Sequence, residues 1–255
     1  MDRNKLVFAN WKMNLDINSS TKLIREILSR NLNYNNIEVV IAPPFVYLSD
    51  INSLLKNSQL RLSSQNVFYN DNGAFTGEIS HEMLKDLGCE WVMIGHSERR
   101  IHLFETNEMI NKKIIFSCKK NFNVIFCIGE SFEERQGGKT LDIIKNQLNE
   151  SLKNIENKYL HKIVIGYEPI WAIGSGSIPD LKDIQETHNF INHHLNEIYP
   201  NCDNLPRIVY GGSVDNSNID SIMSLKNVDG VLVGSASLDC KKFCDIVLSV
   251  GKQYD

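Results

Sequence analysis

Eight short runs rich in Val, Ile, Leu and Phe recur along the chain, at 5–9, 37–42, 60–64, 90–94, 123–127, 162–167, 207–210 and 230–233. Most are apolar on consecutive positions. That is the pattern of parallel strands covered on both faces, not of a sheet with one wet side. Run 60–64 is the weakest, being short and half polar. Between the runs the apolar period changes to that of a helix. Leu23, Ile24, Ile27 and Leu28 share one face, as do Leu141, Ile144, Leu148 and Leu152. Leu181, Ile184, His188, Ile191, Leu195 and Ile198 do the same further on. Gly88 is placed to stop the helix that begins near Ser80, and Pro179 suits the first turn of the helix that follows it. The spacing of successive runs is that of a βα unit. No linker rich in Pro, Gly or Ser divides the chain. The pattern predicts one α/β domain over residues 1–255, a single (β/α)₈ barrel with a closed, parallel, eight-stranded sheet.

Composition narrows the function more than the fold. With 255 residues the chain can bury a core that needs no disulfide or metal staple. A formal net charge of −4 argues against a nucleic-acid partner and means that any anion site must be built locally. The six cysteines (Cys89, Cys118, Cys127, Cys202, Cys240 and Cys244) have no CxxC spacing and several lie in apolar runs. They read as buried free thiols of a reducing compartment. No clustered Cys and His residues suggest a metal site, and no ligand set for a redox cofactor is visible. There is neither a signal-peptide core nor an apolar span of membrane length, so the expectation is a cytoplasmic protein without membrane association.

In a barrel of this kind, chemistry sits on the loops that follow the strands. Asn10 and Lys12 follow the first run, His96 the fourth, Glu168 ends the sixth, and the glycine-containing turns Gly211-Gly212-Ser213 and Gly234-Ser235 follow the last two. Taken singly, each has an ordinary structural explanation. Lys12 could be a solvated lysine, His96 a hydrogen-bonded core histidine, and the glycines tight turns. Glu168 is harder to explain away, because it ends an apolar run where burial without a partner is costly. Their joint placement on one rim is what argues for a site. The glycine-containing turns can aim backbone N–H groups at a phosphate. The segment Pro169-Ile170-Trp171-Ala172-Ile173-Gly174-Ser175-Gly176 lies in a connection longer than most βα loops, as a lid would. A carboxylate base, an imidazole and an ammonium around a phosphate ester suit proton abstraction beside a carbonyl. Two other readings stay open at this point. An aldolase on the same barrel would need a Schiff-base lysine at a strand end, and an epimerase paired acid and base groups or metal ligands. A phosphate-ligand binder would need no base beside a lid.

Several segments resemble the signature segments of the triosephosphate isomerase family: 10–14 (NWKMN), 95–100 (GHSERR), 167–174 (YEPIWAIG) and 210–214 (YGGSV), with further matches at 42–44, 65–66, 73–78 and 127–130. The resemblance spans the whole chain, and the fold it implies is the TIM barrel. It implies a cofactor-free and metal-free isomerase that interconverts dihydroxyacetone phosphate and D-glyceraldehyde 3-phosphate through an enediolate, in glycolysis and gluconeogenesis. By the same resemblance Glu168 is the general base, His96 a neutral electrophile, and Lys12 and Asn10 substrate contacts. Glu98 and Cys127 support them, and Gly174, Ser213, Gly234 and Ser235 hold the phosphate by backbone. The resemblance further implies a homodimer, with Met13, Asn14, Thr76 and Glu78 at the interface and the segment 68–79 reaching into the partner. Three features depart from the family pattern: Ser235 in place of a second glycine, Ser177-Ile178-Pro179 at the far end of the lid, and Leu103-Phe104 in place of a Phe-Gly pair.

Overall fold

In chain order the elements are β1 (Lys5–Asn10), α1 (Ile17–Ser29), β2 (Ile37–Ala42), α2 (Leu48–Leu55), β3 (Arg61–Ser64), α3 (His81–Asp86), β4 (Trp91–Ile94), α4 (Ser97–His102) and α5 (Asn107–Lys119). There follow β5 (Asn123–Ile128), α6 (Phe132–Gln136), α7 (Thr140–Ser151), β6 (Ile163–Tyr167), α8 (Leu181–Ile198), β7 (Arg207–Tyr210), α9 (Ile219–Met223), β8 (Gly230–Val233) and α10 (Cys240–Lys252). These come from a computed structural model that describes residues 4–32, 36–173 and 179–252. The strands pair in sequence order, all in parallel, and β8 closes on β1 through Leu6↔Gly230 to Ala9↔Val233. The predicted eight-stranded closed barrel is the observed one.

Alternation along each strand divides the core in two. Leu6, Phe8, Val40, Ala42, Trp91, Met93, Ile125, Cys127, Val164, Val209 and Leu232 pack inside the barrel. Their neighbours in sequence, such as Val7, Ala9, Val39, Val92 and Ile165, pack outward against the helices. Both faces are dry, which is why the strands read as continuous apolar runs. The polar third run is accommodated because Ser63 and Ser64 are fully buried, the Ser63 hydroxyl donating to Ser64 O at 2.9 Å.

Details of the helices differ from the pattern prediction. Leu141 and Leu181 are 44% and 40% exposed, because each lies in the first turn of its helix, where the chain is still lifting off the barrel wall. Pro179 lies ahead of Asp180, the N-cap of α8, not within the helix's first turn. Gly88 does end α3, at φ +76°, a conformation that costs glycine little.

Candidate active site

The strand alternation sets which side chains look into the barrel mouth. On β1 the inward set Leu6 and Phe8 continues to Asn10 and Lys12; on β6 Val164 continues through Gly166 to Glu168. On β7 and β8 the same phase reaches Gly211 and Gly234, and on β3 it reaches Gln65. Residues far apart in sequence are thereby aimed at one space. That space is a cavity of about 740 Å³ lined by Asn10, Lys12, His96, Glu168, Ile173, Gly211, Ser213, Gly234 and Ser235 among others.

Lys12 is held in a demanding conformation, φ +52°. Its N–H donates to Asn10 Oδ1 at 2.9 Å, and its carbonyl accepts from Gln65 Nε2 at 2.8 Å. Gln65 also donates to Ala42 O at 2.9 Å, so three consecutive strands fix one lysine backbone. The ammonium reaches Glu98 Oε1 at 2.7 Å. Burial pushes the Glu98 carboxyl up, and the Lys12 hydrogen bond with the charges of His96 and Lys12 outweighs it, so the group stays below its usual range.

His96 is the N-cap of α4 and is 4% exposed. Its Nδ1 accepts the Glu98 backbone N–H at 3.3 Å and lies 3.5 Å from Glu98 Oε2. An accepting Nδ1 leaves Nε2 to carry the ring proton. Nε2 is 3.3 Å from Glu168 Oε1. Arg100 braces the turn ahead of the helix, donating to Gly95 O at 2.7 Å and Cys127 O at 3.2 Å. Cys127 is fully buried, and that burial, with the neighbouring Glu168 charge, holds its thiol well above the usual range.

Glu168 is 1% exposed. Neither carboxylate oxygen has an aligned hydrogen-bond donor among the described residues, His96 Nε2 being near but off axis. Burial raises the carboxyl pKa, with the charges of His96 and Lys12 and the Ser97 backbone N–H pulling the other way. Two glycines make room for it. A Cβ on Gly129 would fall 1.8 Å from Glu168 O, and one on Gly211 would fall 2.8 Å from Glu168 Cγ. A carboxylate buried with so little compensation is costly, and groups perturbed in this way cluster at functional sites.

The start of the predicted lid is tethered. Ile170 N–H donates to Glu130 O at 3.0 Å, Trp171 Nε1 donates to Glu130 Oε1 at 3.0 Å, and the Arg135 guanidinium lies over the Trp171 ring at 4.9 Å. Glu130 is itself fully buried, which raises its pKa against the pull of Trp171, Arg135 and Tyr167. Ala172 O accepts the Ser213 hydroxyl at 2.6 Å, joining the lid base to the turn after β7. Pro169 and Ala172 are buried and Ile173 lines the cavity. Gly174, Ser175 and Gly176, like Ser177 and Ile178, lie outside the described residues.

The remaining predicted positions fall in two places. Ser213, Gly234 and Ser235 line the cavity at the ends of β7 and β8. Met13 is 95% exposed, and Asn14, whose amide donates to Trp11 O at 2.8 Å, is exposed beside it. Thr76 and Glu78 are exposed on a loop pinched at its base by Phe68 N–H to Ile79 O, 2.9 Å. Gly211, read from the sequence as part of a phosphate-binding turn, lines the cavity as well, whereas Gln65 and Leu232 were not predicted as site residues, although alternation along β3 and β8 carries the signal for both.

A sequence model of the triosephosphate isomerase family matches residues 5–250. The chain belongs to the triosephosphate isomerase family. It is 45% identical to a triosephosphate isomerase of Thermodesulfovibrio yellowstonii, over 95% of this chain and 98% of the relative. It is 44% identical to one of Dictyoglomus thermophilum, over 97% and 100%. It is 41% identical to one of Aquifex aeolicus, over 96% and 99%. The protein is therefore an isomerase of triose phosphates, and the aldolase, epimerase and pure-binder readings fall away.

Proposed function

We propose that this cavity interconverts dihydroxyacetone phosphate and D-glyceraldehyde 3-phosphate with Glu168 as the proton shuttle. The observation that carries the assignment is a buried carboxylate without an aligned donor, 3.3 Å from an imidazole nitrogen and open to a cavity floored by glycine. Such a carboxylate is a stronger base than a solvated one and can take a proton from the carbon next to the substrate carbonyl. His96, with its proton on Nε2, donates to the oxygen that becomes the enediolate, and Lys12 stabilises the same charge. Lys12 then exchanges part of its contact with Glu98 for the substrate. Asn10 and Gln65 act by holding Lys12, and Cys127 by packing beneath Glu168. The phosphate lies against the backbone of Ser213, Gly234 and Ser235, with Gly174 completing the cradle when residues 169–176 close as a lid. No step draws on a metal or cofactor. A coupled assay with D-glyceraldehyde 3-phosphate tests the activity: turnover of the wild-type chain supports it, and turnover unchanged by Glu168→Asp contradicts the role of Glu168.

We infer further that residues 1–255 act as one domain, and that the working form is a homodimer. Met13, Val46 and Phe75 are exposed by 95%, 75% and 42% on the loops after β1, β2 and β3, which adjoin around the barrel rim. Large apolar side chains brought together in this way suit a partner surface. Asn14, Thr76 and Glu78 would meet the second copy there. The six unpaired thiols suit a reducing, cytoplasmic setting. Among the described residues no helix is long and apolar enough to cross a membrane.

A further inference from the structure

The cavity extends past the groups used above, to an outer wall formed by Asp215, Leu238 and Lys242. The charges on its lining are Lys12 and Lys242 against Glu168 and Asp215. Lys12 is already engaged by Glu98 at 2.7 Å. Asp215 is satisfied by the amide and hydroxyl of Ser217, at 2.8 and 2.6 Å. Those bonds, the hydroxyl's first, hold its carboxyl below the usual range, Lys242 adding only a distant pull. Lys242 makes no ion pair among the described residues, whereas its neighbour Lys241 reaches Asp245 at 3.1 Å. The segment 174–178 carries no charged side chain, so it does not alter this balance. Without Lys242, the mouth of this cavity would present a net negative lining to a dianionic phosphate, on a chain whose own net charge is −4.

We propose that Lys242, on the first turns of α10, is the capture cation of this site. It draws the phosphate dianion to the outer wall and hands it to the backbone cradle at Ser213, Gly234 and Ser235. The inference rests on the phosphate being bound at that cradle. Its placement fits the task. Lys242 N–H is capped by Asp239 Oδ1 at 2.9 Å, so the start of α10 is fixed, while the side chain is solvent-exposed and free to follow a ligand inward. A cation at the rim acts through water. It therefore changes encounter and affinity, not the chemical step, and its effect is screened by salt.

The test is Lys242→Gln, with Lys242→Arg beside it, read by two measurements. The first is kcat and KM for D-glyceraldehyde 3-phosphate against ionic strength. The second is the Kd of inorganic phosphate by calorimetry. A unit charge acting on a dianion over about 8 Å of water changes its local concentration roughly fivefold at low ionic strength. Lys242→Gln is expected to lower kcat/KM by about that factor, carried by KM, and to weaken phosphate by the same factor. It should also flatten the salt dependence of both. Lys242→Arg should stay within about twofold of wild type. Unchanged phosphate affinity and an unchanged salt slope in Lys242→Gln would overturn the assignment. So would a loss confined to kcat. If the wild-type chain failed to turn over triose phosphate, the catalytic reading would fall, while the phosphate titration would still decide the role of Lys242.

Discussion

At the scale of the residue, the account depends on Glu168 being buried with no well-aligned donor on its carboxylate, so that burial outweighs the pull of His96, Lys12 and the Ser97 backbone N–H. Two consequences follow, of opposite sign. The raised pKa means that the protonated, inactive form persists to higher pH than for an ordinary glutamate of 4.5. The kcat/KM profile should therefore fall on the acid side through an apparent pKa above that value, and Glu168→Asp should leave that limb in place. The same shift opposes folding at neutral pH. A carboxyl whose native pKa is raised contributes stability below its unfolded pKa and loses it as the pH rises through the native one. Glu168→Gln should then abolish turnover and yet stabilise the fold at pH 7 by about 1 kcal/mol, a gain of roughly 2–4 °C in Tm for a chain of this size. Calorimetry at pH 7 and at pH 4 checks the sign, since the gain should shrink in acid. Glu168→Asp, which sets the base back by one methylene, should lower kcat by about 100-fold or more with phosphate affinity nearly intact.

At the scale of the element, Asn10, Lys12 and Glu168 are positioned by extensions of the strands before them, and His96 by its place as the N-cap of α4. Much of this was legible in the sequence. The inward phase of β1 and β6, read two residues past the strand ends, places Asn10, Lys12 and Glu168 over the mouth. Gln65 and Leu232 follow from the same rule but lack a titratable group to attract notice. What could not be read was contact. The Gly129 and Gly211 spacing behind Glu168 depends on how closely β5, β6 and β7 approach one another, and no local pattern encodes that. The exposed Leu141 and Leu181 show the same limit: helical period gives a face, whereas the depth of burial at a helix end depends on the tilt of the helix against the barrel. Gly211→Ala tests the contact directly. The added methyl would sit 2.8 Å from Glu168 Cγ. It should displace the carboxylate and lower kcat by about 10- to 100-fold, with a stability cost of about 1–3 kcal/mol as measured by urea melts.

At the scale of the molecule, the two ends of the barrel divide the labour. The mouth at the strand C-termini carries Lys12, His96 and Glu168 and the exposed apolar side chains Met13, Val46 and Phe75. The opposite end is closed by Glu38, which accepts from Trp91 Nε1 at 3.2 Å and Arg207 Nη2 at 2.9 Å, while Arg207 also donates to Asn4 O at 2.9 Å. These groups are half-buried, so the ion pair is partly screened and the hydrogen bonds carry most of its worth. Glu38→Ala should cost about 1–2 kcal/mol of stability and leave kcat/KM within about twofold. Equal losses of stability and activity would show that the ends are coupled. The proposed dimer belongs to this scale too. Thr76→Arg should shift sedimentation towards a monomer, because a long cation on the tip of the 68–79 loop cannot be seated in a partner surface without desolvation. The strand order was fully legible, since sequential parallel strands with short connections close in only one simple way. The partner surface was legible only as the unusual length of 68–79.

The central claim is that one carboxylate moves one proton between adjacent carbons of a triose phosphate. Incubation with dihydroxyacetone phosphate in deuterium oxide, followed by proton NMR, tests it most directly. Wild type should release glyceraldehyde phosphate with deuterium on C2, the former carbonyl carbon, and return some dihydroxyacetone phosphate singly deuterated on C1, the carbon the base attacks; Glu168→Gln should lose these signals together. Deuterium incorporation that persists at the wild-type rate in Glu168→Gln would contradict the account.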